Sequence, residues 1–214
     1  LKYSLNKMRN IKPSEAINHP KWKMGKKISI DSATLINKIY EVIEAKNIFE
    51  IPYNKIGILI HPNSYIHSIL KFNNGLIKYI AHDTTMTIPI FNTLYNDKNK
   101  KIISKNISVK ELNNLSFENV KVSKYPMIKL LSHLQKKLSL YETVIVSAND
   151  ILVDLFLKKY ISFIEITKIL FQIIKTKEFL KYKKIYPKKI SDITDLNKYV
   201  RLKILKKVYK SKNV

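Results

Sequence analysis

Cysteine is absent from the chain, which excludes disulfides, thiolate metal sites and cysteine nucleophiles and suits a reducing compartment such as the cytoplasm. Arginine is almost absent: Arg9 and Arg201 are the only two. Lysine therefore carries nearly all of the positive charge behind a net +24. Specific nucleic-acid interfaces favour the bidentate guanidinium, and these lysines are scattered among Ile and Asn, so no specific nucleic-acid partner is expected. Weak adhesion to polyanions is. No apolar run approaches the ~20 residues that span a bilayer. The longest candidate, Ile161 to Ile174, is interrupted by Glu165 and Lys168. No membrane association is expected, and the N-terminus has no signal-peptide core. The chain begins at Leu1, as a truncated or processed sequence would.

What is present is enough for a core. Hydrophobic residues make up 45% and aromatics 10% of 214 residues, which excludes a disordered chain and allows one large domain or two smaller ones. Residues 1–30 read as an irregular lead-in with a short helix near Ser14 to Asn18 that Ser14 could cap. Leu35, Ile39, Val42, Ile43 and Phe49 then form a helical stripe, predicting one helix from about Ala33 to Lys46 with Asp31, Ser32 and Thr34 as cap candidates. Strand-like runs follow at 57–63, 65–72 and 76–83. Asn73, Asn74 and Gly75 mark a hairpin between the last two. A helix is expected over 88–95, then a polar stretch at 96–106. Ser108 with Glu111 and Ser162 with Glu165 are candidate capping boxes. Helices near 126–137, 142–158, 164–177 and 192–210 suggest a small bundle.

The segment His19 to Glu41 concentrates the chemistry. On a helix starting near Ala33, Asn37 and Glu41 stand at i and i+4, and Lys38 and Glu41 at i and i+3, so all three share a side. Ser32 falls at the expected helix entrance, where free N–H groups and the dipole favour an anion. A phosphate could accept from Ser32, Asn37 and Lys38, and Glu41 could give a hard oxygen to Mg²⁺ or Mn²⁺. His19, Trp22 and Met24 lie on a preceding loop able to close over a ligand. Taken singly, such a face is also that of an ordinary solvated helix, a lone Trp also reads as a packing anchor, and His61 and His67 also read as structural histidines.

The ordered whole, H-P-x-W-x-M-G-K-K-I-S-x-D-S-A-T-x-x-N-K-x-x-E, resembles the signature of the 1-deoxy-D-xylulose 5-phosphate reductoisomerase family. Four later blocks fit the same family in order: Leu59 to Ser68, Met86 to Ile90, Tyr125-Pro126 and S-A-N-D-I from Ser147 to Ile151. The resemblance spans essentially the whole chain. It implies an NADPH-dependent oxidoreductase and isomerase that uses a divalent cation, Mg²⁺ or Mn²⁺. The phosphosugar 1-deoxy-D-xylulose 5-phosphate becomes 2-C-methyl-D-erythritol 4-phosphate, in the non-mevalonate route to isoprenoids. By match to the family motif, Ser32, Asn37, Lys38 and His19 surround the substrate phosphate, Lys38 and Glu41 are the catalytic pair, and Glu41 is a metal ligand facing the substrate. Trp22 matches the lid, Met24 a side chain beside the nicotinamide, and Ser64, His67 and Met86 matching residues lining the pocket.

The implied fold is an α/β central catalytic domain followed by an all-α C-terminal helical bundle. It divides as residues 1–95 with a lid loop near 14–30, a linker at 96–122, and a bundle at 123–214. The complete protein would be a homodimer. Three family segments are missing: the G-x-T-G-S-x-G turn of the nucleotide domain, the D-S-E segment with two further metal carboxylates, and S-G-G-P-F. Ile39 and Thr85 stand where the family often has Gly and an acidic residue. The expectation is a fragment that carries the substrate half of the site and is inactive alone. The alternative is a basic polyanion- or nucleic-acid-binding module that kept the fold and lost the reaction.

Overall fold

The computed structural model describes Met8 and residues 10–17, 25–95, 100–106 and 108–210. Its contacts form two compact units, one holding the residues up to 57 and from 121 onward, the other residues 58–120. The grouping does not follow chain order. The helices over 26–49, placed by the sequence reading with the strands, belong to the unit of the C-terminal helices because their apolar faces are buried there.

The first unit is helical. It begins with α1 (Pro13–Ala16), α2 (Lys26–Thr34) and α3 (Ile36–Phe49) and continues through a 3-10 helix at Pro126–His133. Then come α6 (Leu140–Leu157), α7 (Phe163–Ile174), α8 (Lys177–Leu180), a 3-10 turn at Lys181–Lys184 and α9 (Ile190–Lys210). Helix α6 is buried nearly all round, through residues such as Val144, Ile145, Leu152, Val153 and Phe156, and so forms the centre of the core. Against it lie α7, with Ile166, Leu170 and Ile174 buried, and α9, with Leu196, Val200, Ile204 and Val208 recurring every fourth residue. The Tyr141 hydroxyl donates to the carbonyl of Ile174 at 2.9 Å, which ties α6 to the end of α7.

Capping residues explain where these helices start. Ser139 and Glu142 form a reciprocal box at α6, the serine hydroxyl 2.6 Å from the carboxylate. Ser162 and Glu165 do the same at α7, as the sequence suggests. At α1 the anticipated Ser14 cap is replaced by Lys12, whose backbone N–H donates to Glu15 at 2.9 Å, with Pro13 supplying a preset φ.

The single helix expected over 33–46 is two helices. Leu35 sits between them in the left-handed region, φ 69°, and its N–H donates to the carbonyl of Ser32 at 3.2 Å. That conformation costs a non-glycine residue about 1–2 kcal/mol. Leu35 is only 6% exposed, and burying a leucine side chain returns about 1.5–3 kcal/mol. Burial outweighs the backbone strain, and the chain turns there. The helix expected over 126–137 is likewise shorter and of the tighter 3-10 kind, starting on Pro126.

The second unit holds all the strands among the described residues. They form two antiparallel ribbons: β1 (Leu59–Ile60) with β4 (Glu118–Asn119), and β2 (Ile66–Lys71) with β3 (Ile77–Ala81). The hairpin expected from Asn73-Asn74-Gly75 is present. Gly75 takes φ 86°, and the N–H of Leu76 donates to the Asn74 side chain at 3.1 Å. The first strand-like run pairs far along the chain with residues 118–119 instead of with its neighbour. Two short helices complete the unit, α4 (Thr87–Leu94) and α5 (Val109–Asn113). Ser108 begins α5 without the capping hydrogen bond that its spacing to Glu111 suggests. The chain is thus mainly helical with few strands, and no described helix is long and apolar enough to cross a membrane.

Candidate phosphate-binding site

The α2–α3 junction brings together the residues that the sequence places on one helix face. Asn37 Nδ2 donates to Glu41 Oε1 at 2.8 Å, and Lys38 Nζ reaches Glu41 Oε2 at 2.7 Å. One carboxylate is therefore held by an amide and an ammonium from the first turn of α3. Lys38 and Glu41 are each 46% exposed, so water and solutes reach them.

Ser32 is placed differently from the expectation. It lies in the last turn of α2, where its carbonyl accepts from Leu35, and not at a helix entrance. The free N–H groups of a helix start belong to α3, at Ile36 and Asn37, because Lys38 N already donates to Leu35 at 3.2 Å. Ser32 lies four residues before that helix start, across the turn at Leu35. Hydroxyl, amide, ammonium and dipole end are the kinds of group that an anion accepts from.

Behind the junction is a buried polar network that the sequence reading did not identify. Asp31, 2% exposed, receives Lys27 Nζ on Oδ2 at 2.7 Å and Asn149 Nδ2 on Oδ1 at 2.8 Å. Lys27 also reaches Asp150 Oδ1 at 2.9 Å. Burial pushes the Asp31 carboxyl above the usual range, and Lys27 and Asn149 only partly offset it. For Lys27 burial is the largest single influence and lowers its pKa, but the hydrogen bonds and charges of Asp31 and Asp150 together carry it upward. The Tyr40 hydroxyl is driven far up by burial, then by the two carboxylates. The hydroxyl of Tyr40 and Oδ1 of Asn149 are buried without a hydrogen bond of good geometry. One signal of this network is visible in the chain: Asn149 and Asp150 are the centre of the S-A-N-D-I block.

Ser64, His67 and Met86 belong to the second unit. Ser64 takes φ 54° and closes a turn, its N–H donating to His61 at 3.0 Å. His67 stacks on His82 with ring centroids 3.6 Å apart, and its Nε2 lies 3.2 Å from the His82 carbonyl. Met86 stands exposed at the start of α4. His19, Trp22 and Met24 lie outside the described residues.

The donor set does not complete a metal centre. Among the described residues no three His, Asp or Glu side chains come together, and Glu41 supplies a single carboxylate. A divalent cation needs more oxygen ligands than that. The residues for a nucleotide are likewise incomplete, since the chain has three separated glycines and no glycine-rich turn.

Comparison with known proteins gives these residues a setting. Residues 1–49 match a family described as 1-deoxy-D-xylulose 5-phosphate reductoisomerase C-terminal domain, and residues 83–203 one described as DXP reductoisomerase C-terminal domain. A 1-deoxy-D-xylulose 5-phosphate reductoisomerase of Pelagibacter ubique is 54% identical over 94% of this chain and 52% of its own length. One of Clostridium novyi is 40% identical over 77% of this chain and 43% of its own. Among solved structures, the reductoisomerase of Zymomonas mobilis in complex with NADPH superposes with a TM-score of 0.81 at 32% identity, covering 94% of this chain and 50% of that one. A DOX-P reductoisomerase holding NADPH, fosmidomycin and magnesium gives 0.87 at 30% identity, over 99% and 53%. The chain spans about half the length of the curated relatives it matches.

Proposed function

The chain belongs to the DXP reductoisomerase C-terminal domain family, and on that premise we propose that it supplies the phosphate side of a reductoisomerase site. The reaction is the conversion of 1-deoxy-D-xylulose 5-phosphate to 2-C-methyl-D-erythritol 4-phosphate, with NADPH and a divalent cation, in the cytoplasm. NADPH, when bound, supplies the hydride. The observation that carries the reading is the convergence of Asn37 and Lys38 on Glu41 at the start of α3, with Ser32 one turn before it. Lys38 is the charge that meets the phosphate, Asn37 and Ser32 orient it, and Glu41 faces the sugar hydroxyls and offers one oxygen to the cation.

Roles for His19, Trp22, Met24, Ser64, His67 and Met86 in the same reaction rest on their match to the family motif alone. In domain terms, residues 1–95 belong to an α/β catalytic domain that contains β1 and the β2–β3 hairpin, 96–122 to a linker that carries β4, and 123–214 to the helical bundle. A homodimer through the β2–β3 hairpin accords with the exposure of Ile69, Leu70, Ile77 and Tyr79 on that ribbon. The polyanion-binding alternative has no support among the relatives, whose names are all those of reductoisomerases.

Calorimetric titration of 1-deoxy-D-xylulose 5-phosphate into the purified chain tests the reading. Charge-assisted hydrogen bonds contribute about 1.5–3 kcal/mol, so Lys38→Ala weakens binding by roughly ten- to a hundredfold. Equal heats from both proteins would refute it, as would NADPH-dependent turnover by the chain alone for the half-site part.

A further inference from the structure

Asp31 and Ser32 are adjacent, the first buried and the second part-exposed. Each oxygen of the Asp31 carboxylate has its own partner: Oδ1 takes the Asn149 amide at 2.8 Å and Oδ2 takes Lys27 at 2.7 Å. The Asp31 carbonyl accepts from the Thr34 hydroxyl at 3.2 Å, and the Ser32 carbonyl from Leu35 N at 3.2 Å. The turn that carries Ser32 is thus pinned on its inner side. Thr34 acts within α2, and Lys27, half exposed, reaches the central helix α6 through Asp150 at 2.9 Å. Asn149, fully buried on α6, is the α6 side chain that grips Asp31 directly.

We propose that Asn149 is a positioning residue for the phosphate site: by holding Asp31 it sets the α2–α3 junction, and through it the placement of Ser32, Asn37 and Lys38 around a phosphate group. This rests on the reading given under Proposed function. The physical reason is twofold. An Asp31 oxygen stripped of its partner in a buried setting must find water or another donor, which moves the turn. Anion receptors built from several convergent donors lose affinity steeply when those donors shift by fractions of an ångström. Lys27 does not substitute for the amide, because it is already shared between Asp31 and Asp150.

The test is an amide-resolved NMR titration of the chain with inorganic phosphate. The wild type shows saturable shifts at Ser32, Asn37 and Lys38. Asn149→Ala weakens that affinity by about tenfold or more, while the amides of α7 and α9 stay where they were. The exchanged pair Asp31→Asn with Asn149→Asp keeps one carboxylate and one amide in contact and recovers most of the affinity, which a loss of stability alone would not produce. Should Asn149→Ala not fold, Asn149→Ser, which keeps a polar group, carries the same comparison. Wild-type affinity in the alanine or serine variant overturns the proposal and leaves the phosphate site standing, as does an exchanged pair no better than the single variant. Absence of saturable shifts in the wild type overturns the phosphate reading itself, and this proposal with it.

Discussion

Lys38 pairs with Glu41 at the start of α3, and in the proposed site it would share its charge with the phosphate. The pair is half exposed, so its own contribution to stability is small, about 0–1 kcal/mol. Its influence on binding is larger, because the carboxylate both competes for the ammonium and repels a phosphate. Glu41→Gln is therefore expected to leave the denaturation midpoint almost unchanged and to tighten inorganic phosphate binding a few-fold in the absence of metal. Urea denaturation checks the first and isothermal calorimetry the second, and weaker phosphate binding would mean that Glu41 orients Lys38 instead of competing for it.

A second residue-scale effect sits at His133, whose ring lies tilted against Phe171 with centroids 6.0 Å apart and whose pKa is lowered by burial, then by Lys183 and Lys175. A depressed folded value means the neutral ring is favoured by folding. Stability is then full above the ordinary value of 6.5 and falls as pH drops through it toward the lower folded value. Urea midpoints measured across that window should fall for the wild type and fall less for His133→Gln.

Residues of this kind differed in how far they could be read from the chain. Asn37, Lys38 and Glu41 meet as their i+3 and i+4 spacings dictate, since that geometry is internal to one helix. Asp31 reads locally as a helix cap. Its partner Asn149 is 118 residues away, and no periodicity announces such a pair.

At the scale of elements, local chemistry predicted starts better than interruptions. The α7 cap is legible because Ser162 and Glu165, three residues apart ahead of an apolar run, satisfy each other's backbone donors. Ser108 and Glu111 share that spacing without the capping hydrogen bond, and the sequence reading does not anticipate the Ser139–Glu142 box at α6. Ser139→Ala should cost about 1–2 kcal/mol in chemical denaturation, since its box is buried and begins the central helix. Ser162→Ala, at a part-buried box, should cost about 1 kcal/mol or less. A change under a few tenths at Ser139 would show that α6 is held by packing alone.

The division between α2 and α3 was not legible, for a physical reason. A leucine is disfavoured in the left-handed region, so the sequence carries no breaker there, and only burial of Leu35 among tertiary neighbours imposes the turn. The consequence reaches the site, because it moves Ser32 from a helix start to a helix end.

For the whole molecule, the ordering along the chain and the grouping in space part company. A chain-order reading separates residues before 95 from those after 122, while contacts gather the segment around α2 and α3 with the C-terminal helices. Stripes on α3 announce that it must be covered but not by what. The β2–β3 hairpin poses the complementary case: Ile69 and Tyr79 pair directly across it and both remain exposed. A ribbon of two strands with apolar faces open to water is marginal by itself. If a second copy covers it, as proposed, the wild-type chain sediments as a dimer and the double variant Ile69→Lys with Tyr79→Lys as a folded monomer. A monomeric wild type would remove the hairpin from the dimer proposal.

The central claim is that this chain binds the phosphate of a phosphosugar at the α2–α3 junction. The most direct measurement is a crystal structure of the chain grown with 1-deoxy-D-xylulose 5-phosphate. The account predicts the phosphate within hydrogen-bonding distance of the Ser32 hydroxyl, the Asn37 amide and the Lys38 ammonium. A phosphate ordered instead on the lysines of α9, or in the second unit alone, would contradict it.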